Sequence, residues 1–276
     1  MKLLRLLMIA AAACFAAPSW ATAIQFTSTF ESIKIQTRPG KTVTRTFQLH
    51  LTKGEARARF AGRIEDWWES EDGAKSYYRP VGTLPRSCGS WITIDPVESM
   101  VDGGGVLQVR VTANIPALAG PGGYWCVLTL DELPDPLAPD PAGVGMRIDA
   151  SVSTGIFIYL NPVVRDVRVV AVAVSADEAR VTVRNAGNAP VGLEGRFEIL
   201  RGSGGDVVAS VKFARTTVLT EPVARRRLTV RLPGLAALPA GLYVARVVLD
   251  VGLDHDIGVE KELRIPGDLQ ALPTSR

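Results

Sequence analysis

Gly122-Gly123-Tyr124-Trp125-Cys126-Val127-Leu128-Thr129-Leu130-Asp131 returns further along the chain as Gly241-Leu242-Tyr243-Val244-Ala245-Arg246-Val247-Val248-Leu249-Asp250. The shared frame is Gly-x-Tyr-x-x-x-[Leu/Val]-x-Leu-Asp. Upstream of each copy stands a second matched segment, Leu107-Gln108-Val109-Arg110-Val111 in the first and Leu228-Thr229-Val230-Arg231-Leu232 in the second, each followed by a turn rich in Pro and Ala. Two matches in the same order mark an internal repeat. Each unit, about 105 to 140 residues long, has the size of one β-sandwich domain. Tyr124 and Tyr243, just after a glycine turn, sit where a sandwich ties a tyrosine hydroxyl back to neighbouring chain.

Outward from the repeat, short alternating segments separated by turn residues predict strands throughout. In the first unit they fall at 33–36, 43–51, 57–67, 75–80, 91–94, 106–113, 124–131 and 146–160. In the second they fall at 163–174, 180–185, 192–201, 207–213, 226–232, 243–251 and 259–264. No segment beyond the first residues has helical apolar spacing, so the fold class is all-β, two sandwiches in tandem. Residues 146–160 stand out. Met146, Ile148, Ala150, Val152, Ile156, Ile158 and Leu160 are apolar at alternate positions, interrupted only by Thr154. Strands usually stop after five or six residues. At about 3.3 Å per residue this one would reach roughly 50 Å, more than a single sandwich needs to close its own sheet. The surplus covers a neighbouring domain, a partner's sheet, or both. The other reading is an ordinary core face that runs straight into Asn161-Pro162.

The first residues predict the compartment. Lys2 and Arg5 precede an apolar run that ends before Pro18 and the small-residue site Ala21-Thr22-Ala23, the pattern of a secretory leader cut after Ala23. Ala11-Ala12-Ala13-Cys14 lacks the large aliphatic residue expected three places before a lipidated cysteine. No later stretch approaches the length of an apolar membrane span. The whole chain has 31 Lys and Arg against 28 Asp and Glu, and removing the leader evens that balance further. With no basic stripe interleaved with aromatics, nucleic acid is not expected as a partner. Arg225-Arg226-Arg227 is read as a solvated strand start. The remaining cysteines, Cys88 and Cys126, are expected to pair in an oxidising envelope. Closing that loop of about 38 residues stabilises by about 3 to 4 kcal/mol in the chain-entropy model.

Residues that carry chemistry are scarce. The histidines are His50, in an alternating strand, and His255, between Asp254 and Asp256. An acidic turn is the plain reading of the latter, with a metal loop as the alternative. Gly202-Ser203-Gly204-Gly205 lacks the strand-turn-helix setting of a nucleophile elbow. The chain is therefore read as a non-enzyme without cofactor or metal. Adjacent Trp67 and Trp68 point to opposite faces of a strand, which makes them a candidate exposed aromatic surface beside Glu65, Asp66, Glu69 and Glu71. Trp91 and Trp125 flank the two cysteines and are expected to pack the disulfide with indole rings.

Taken in order, the glycine turn, the tryptophan-bearing strand, Ile94-Asp95-Pro96, Pro116, the Gly-x-Tyr strand, a proline-rich loop and Ile156-Phe157-Ile158-Tyr159-Leu160-Asn161-Pro162 resemble the two-domain periplasmic chaperones of pilus assembly (chaperone-usher type). Through Val183-Arg184-Asn185-Ala186-Gly187-Asn188 and Leu238-Pro239-Ala240-Gly241-Leu242-Tyr243 the chain is also similar to secreted Ig-like proteins that accompany WxL surface proteins. Either resemblance implies immunoglobulin-like sandwiches. The division expected is a signal peptide at 1–23, an N-terminal domain at 24–161, a C-terminal domain at 162–268 and a tail at 269–276. The chaperone resemblance implies periplasmic work: a pilin-like or surface subunit is bound by strand donation, with an outer-membrane usher as a further partner and no stable membrane insertion. The donor residues would be Met146, Ile148, Ala150, Val152, Thr154, Ile156 and Ile158. In that family two basic residues between the domains grip the client's terminal carboxylate. The matching places fall near Phe157 and Ile35, neither of them basic, and Lys34 and Arg165 are the candidate substitutes. The competing reading is a non-catalytic envelope scaffold or adhesion module that binds a surface protein or glycan through Trp67 and Trp68.

Overall fold

The computed structural model describes residues 26–28, 32–52, 57–134, 150–175 and 177–265. The expected leader, the tail, Met146 and Ile148 lie outside them. The first unit runs β1 (Phe26–Ser28), β2 (Ser32–Thr37), β3 (Thr42–Leu51), β4 (Ala58–Glu69), β5 (Lys75–Tyr78), a short 3-10 turn (Gly89–Trp91), β6 (Ile92–Asp95), β7 (Glu98–Val101), β8 (Val106–Asn114), β9 (Gly122–Leu133) and β10 (Ser151–Leu160). One sheet has the order β1-β3-β8-β6; the other has β2-β10-β9-β4-β5, with β7 paired to β4. The second unit runs β11 (Val167–Val174), β12 (Glu178–Asn185), β13 (Val191–Leu200), β14 (Val207–Val218), β15 (Arg225–Arg231), β16 (Gly241–Asp250) and β17 (Ile257–Ile265). Its sheets are β11-β12-β15 and β14-β13-β16-β17. The protein is thus two β-sandwiches in tandem. Among the described residues no helix is long and apolar enough to cross a membrane.

Alternation builds each core. Phe47 and Leu49 of β3 and Val109 and Val111 of β8 face Phe60, Leu128, Leu130, Ile156 and Ile158 from the opposite sheet. Fully burying each such side chain contributes about 1.5 to 3 kcal/mol. The Cys88–Cys126 disulfide joins the 3-10 turn to β9 with 5.4 Å between Cα atoms. Trp91 stacks at a tilt on Tyr124, 4.5 Å between ring centroids. Trp125 corrects the expectation of two indoles around this bond, because as the neighbour of Cys126 on a strand it faces the other way. The repeated tyrosines make the same tie: Tyr124 donates to Gly120 O at 3.1 Å and Tyr243 to Pro239 O at 2.9 Å.

In the second sandwich Glu198 on β13 accepts from Arg196 Nε at 2.8 Å and from Arg246 Nε at 2.7 Å. Burial alone raises its carboxyl, and the hydrogen bonds from both arginines outweigh burial and leave it below the ordinary glutamate value. A depressed carboxylate adds stability that is complete above its unfolded value and is lost as pH falls through the folded one. Glu198→Gln should therefore cost about 1 to 2 kcal/mol at pH 7. Thermal melts of the two proteins should converge as the pH drops below the carboxylate range.

Candidate functional site

One face of the β2-β10-β9-β4-β5 sheet lines the core, and the other looks toward the second sandwich. Period two places residues of odd number on that outward face of β4, β9 and β10. Trp67, Trp125, Val127 and Phe157 pack there with Leu219 from the second sandwich. Trp67 donates from Nε1 to Cys126 O at 3.2 Å, Trp125 from Nε1 to Trp67 O at 3.1 Å. The rings of Trp67 and Phe157 meet edge to face at 6.2 Å.

These contacts correct the expectation of an exposed Trp67–Trp68 surface. Trp67 is 5% exposed and Trp68 is half-buried. Among the described residues the aromatics open to solvent are Tyr77 and Tyr78 on the neighbouring β5. An adhesion module resting on the tryptophan pair would have the partly exposed Trp68 alone to offer.

Two further contacts fix the sandwiches to one another. Gly123 N donates to Asn188 O at 2.8 Å, and a Cβ at Gly123 would stand 2.4 Å from Pro190 Cδ. Only glycine allows that approach. The matched place of the second copy holds Leu242, which is 57% exposed. Gly123→Leu should overpack the contact, cost about 1 to 3 kcal/mol and split the thermal transition into separate melts, measured by calorimetry. The second contact joins the β4–β5 turn to the start of β15. Arg227 N donates to Glu71 O at 2.7 Å, its guanidinium reaches Glu71 at 2.8 Å and Asp72 at 2.6 Å, and Arg226 faces Glu69 at 3.4 Å. Burial pushes the Glu69 carboxyl above its ordinary range against the pull of Arg226 and Lys75. Arg225-Arg226-Arg227 is thus a strand start, as expected, but not a solvated one. Two of its three guanidinium groups clamp the domains.

Beside this contact lies a cleft with two adjoining cavities of about 610 and 410 Å³. Lys34, Tyr159, Gly192 and Arg215 line both. Arg45, Arg165, Glu194 and Asp250 line the larger only; Trp67, Glu69, Lys75, Phe157 and Ser153 line the smaller only. The two sequence-predicted cations, Lys34 and Arg165, therefore meet at one cavity. Arg45 and Arg215 were not legible in the sequence, since they arrive from β3 and β14. Tyr159 donates to Pro190 O at 3.4 Å; burial raises its phenol above the ordinary value, with Arg165 pulling it down.

The long strand divides in two. Residues 155–160 of β10 lie between β9 on one side and β2, in parallel register, on the other; Gly155 is level with Ser32 and Phe157 with Lys34. Residues 151–154 pair with β9 and, among the described residues, with no second strand. Ile156 and Ile158 are 0% exposed and Thr154 is buried. They are core residues, a correction to their expected place on a donor stripe. Ala150 and Val152 are half-buried at the open edge. On the outward face of this segment Ser151 donates to Asp131 at 2.8 Å and Ser153 lies 3.1 Å from the Thr129 hydroxyl. His255 stands in an exposed turn. Among the described residues no group of His, Cys, Asp and Glu is placed to hold a metal ion.

No family model matches the sequence, and no curated protein matches it. Solved structures do. The CupB2 chaperone of Pseudomonas aeruginosa is 11% identical over 87% of this chain and 100% of its own, with a TM-score of 0.45. The YadV chaperone is 12% identical over 87% and 98%, with a TM-score of 0.48. The complex of the SafA pilin with the SafB chaperone from Salmonella enterica matches at 12% identity over 88% and 98%, with a TM-score of 0.46. The likeness to these chaperones spans 87 to 88% of the chain.

Proposed function

We propose that this protein is a periplasmic chaperone that holds a secreted β-rich subunit, pilin-like or of the cell surface, by adding the free edge of β10 to the subunit's sheet. The observation that carries the reading is that this edge, open at residues 151–154, runs directly into a basic cleft. A guest strand lying parallel to β10 has to stop where β2 takes over the edge, level with Ser32 and Gly155. The next outward-facing side chain of β2 is Lys34. A strand that ends there brings its terminal carboxylate to Lys34 and Arg215, with Arg165 further along the cleft.

Magnitudes favour two points of attachment. About four main-chain hydrogen bonds along residues 151–154, each contributing roughly 0.5 to 1.5 kcal/mol net, give only a few kcal/mol. A micromolar complex needs about 8 kcal/mol. Charge-assisted bonds to a carboxylate and apolar contacts at Ala150 and Val152 supply the difference. Occupying the edge also keeps an exposed strand from pairing with the wrong chain. The test is affinity purification of the tagged mature protein from its native envelope, with mass spectrometry of what co-elutes. One small secreted β-rich subunit in equal amount is the expected result. A bare monomer, or large surface proteins alone, would contradict it.

A further inference from the structure

The cleft holds more positive charge than one terminal carboxylate uses. Lys34 and Arg215 stand where the two cavities join, while Arg45 and Arg165 line the larger cavity beyond them. Among the described residues none of these four cations forms an ion pair. Arg165 donates only to the backbone at Gly252 O, 3.3 Å away, and Arg45 only to Thr44 O at 3.1 Å. The carboxylates that line the larger cavity, Glu194 and Asp250, are exposed and, among the described residues, in no ion pair either, and Asp250 accepts from Gly252 N at 2.7 Å. The balance around this cavity is therefore four cations against two anions. A carboxylate is satisfied by one guanidinium fork or two single donors. With Lys34 and Arg215 engaged, Arg45 and Arg165 still face about 610 Å³ of open space. That volume is much larger than a carboxylate and has the size of a site for a peptide segment.

Resting on the reading above, we infer that the cleft selects a client tail with two negative groups, the terminal carboxylate at Lys34 and Arg215 and an acidic side chain close to it at Arg45 and Arg165. The partner class is a β-strand with an acidic carboxyl-terminal end. The second anion supplies specificity, because a neutral tail gains no charge-assisted bonds from Arg45 and Arg165.

Three synthetic octapeptides test this. Each alternates Val and Thr and ends in Asp-Leu with a free carboxylate, in Asn-Leu with a free carboxylate, or in Asp-Leu amide. Binding to the mature protein is followed by Trp fluorescence, which Trp67 in the smaller cavity reports, and by calorimetry. The Asp-Leu acid should bind at least tenfold more tightly than the Asn-Leu acid. The Arg45→Ala, Arg165→Ala double variant should lose that difference and still prefer acid over amide. Both substitutions are at exposed positions, and a melt superimposable on the parent's confirms the fold. If acid and amide differ but Asp and Asn do not, the second anion site is wrong and strand donation stands. If neither change matters, or no peptide binds, both fall.

Discussion

Ile156→Asp is expected to unfold the first sandwich, whereas Val152→Asp, four residues earlier on the same face of the same strand, should leave it folded and abolish client capture. Ile156 is 0% exposed and sits in the core opposite Cys126. An unpaired carboxylate there costs several kcal/mol, a large part of the 5 to 15 kcal/mol that holds a domain together. Val152 only leans on the core from the open edge, where water reaches a charged group. A substitution there should cost about 1 kcal/mol or less. It puts a charge into the strip that a guest strand has to cover. Circular dichroism melts of the two variants read the difference directly. Loss of the cooperative transition in both would mean that the apolar stripe is core throughout and that no part of it is donated.

The second large effect is expected at the cleft. Lys34→Glu combined with Arg215→Glu should reduce retention of the client at least tenfold and leave the melting temperature within about 2 °C of the parent. Among the described residues neither side chain has an ion pair to lose, so stability has little reason to change. A client carboxylate would instead meet two like charges, a penalty of several kcal/mol at a partly desolvated site. The measurement is co-purification of the subunit at low and physiological salt. Retention equal to that of the parent at both would remove the terminal-carboxylate anchor from the account.

Much of the fold is legible in the sequence because alternation and turns are local. The repeated Gly-x-Tyr frame locates β9 and β16, and the tyrosine ties within each copy span only four residues. The short β1 and β7 went unread, whereas the equally short β5 and β6 were found between clear turn residues. The expected strand at 163–174 begins at Val167 instead, because Asn188 draws the preceding segment into a connector through Pro162 O and Val164 N.

The site was legible in part. Period two says that a strand has two faces without saying what covers each. The unbroken apolar run from Ile156 to Leu160 is what a strand buried on both sides shows, and it departs from the alternation that precedes it. That departure marks where the second sandwich and β2 take over. Lys34 and Arg165 were reachable only through the chaperone resemblance, as substitutes for the non-basic places near Ile35 and Phe157. Arg45, Arg215 and the Arg226–Arg227 clamp depend on contacts between residues remote in sequence, to which no local pattern corresponds.

The central claim is that a client strand lies along residues 151–154. Benzoylphenylalanine placed at Ser153 and irradiated in the native envelope tests it most directly, with Leu242 on the second sandwich as the control position. The account predicts an adduct with one small secreted β-rich subunit from position 153 and none from position 242. An adduct absent at 153, or equal at both positions, would contradict it.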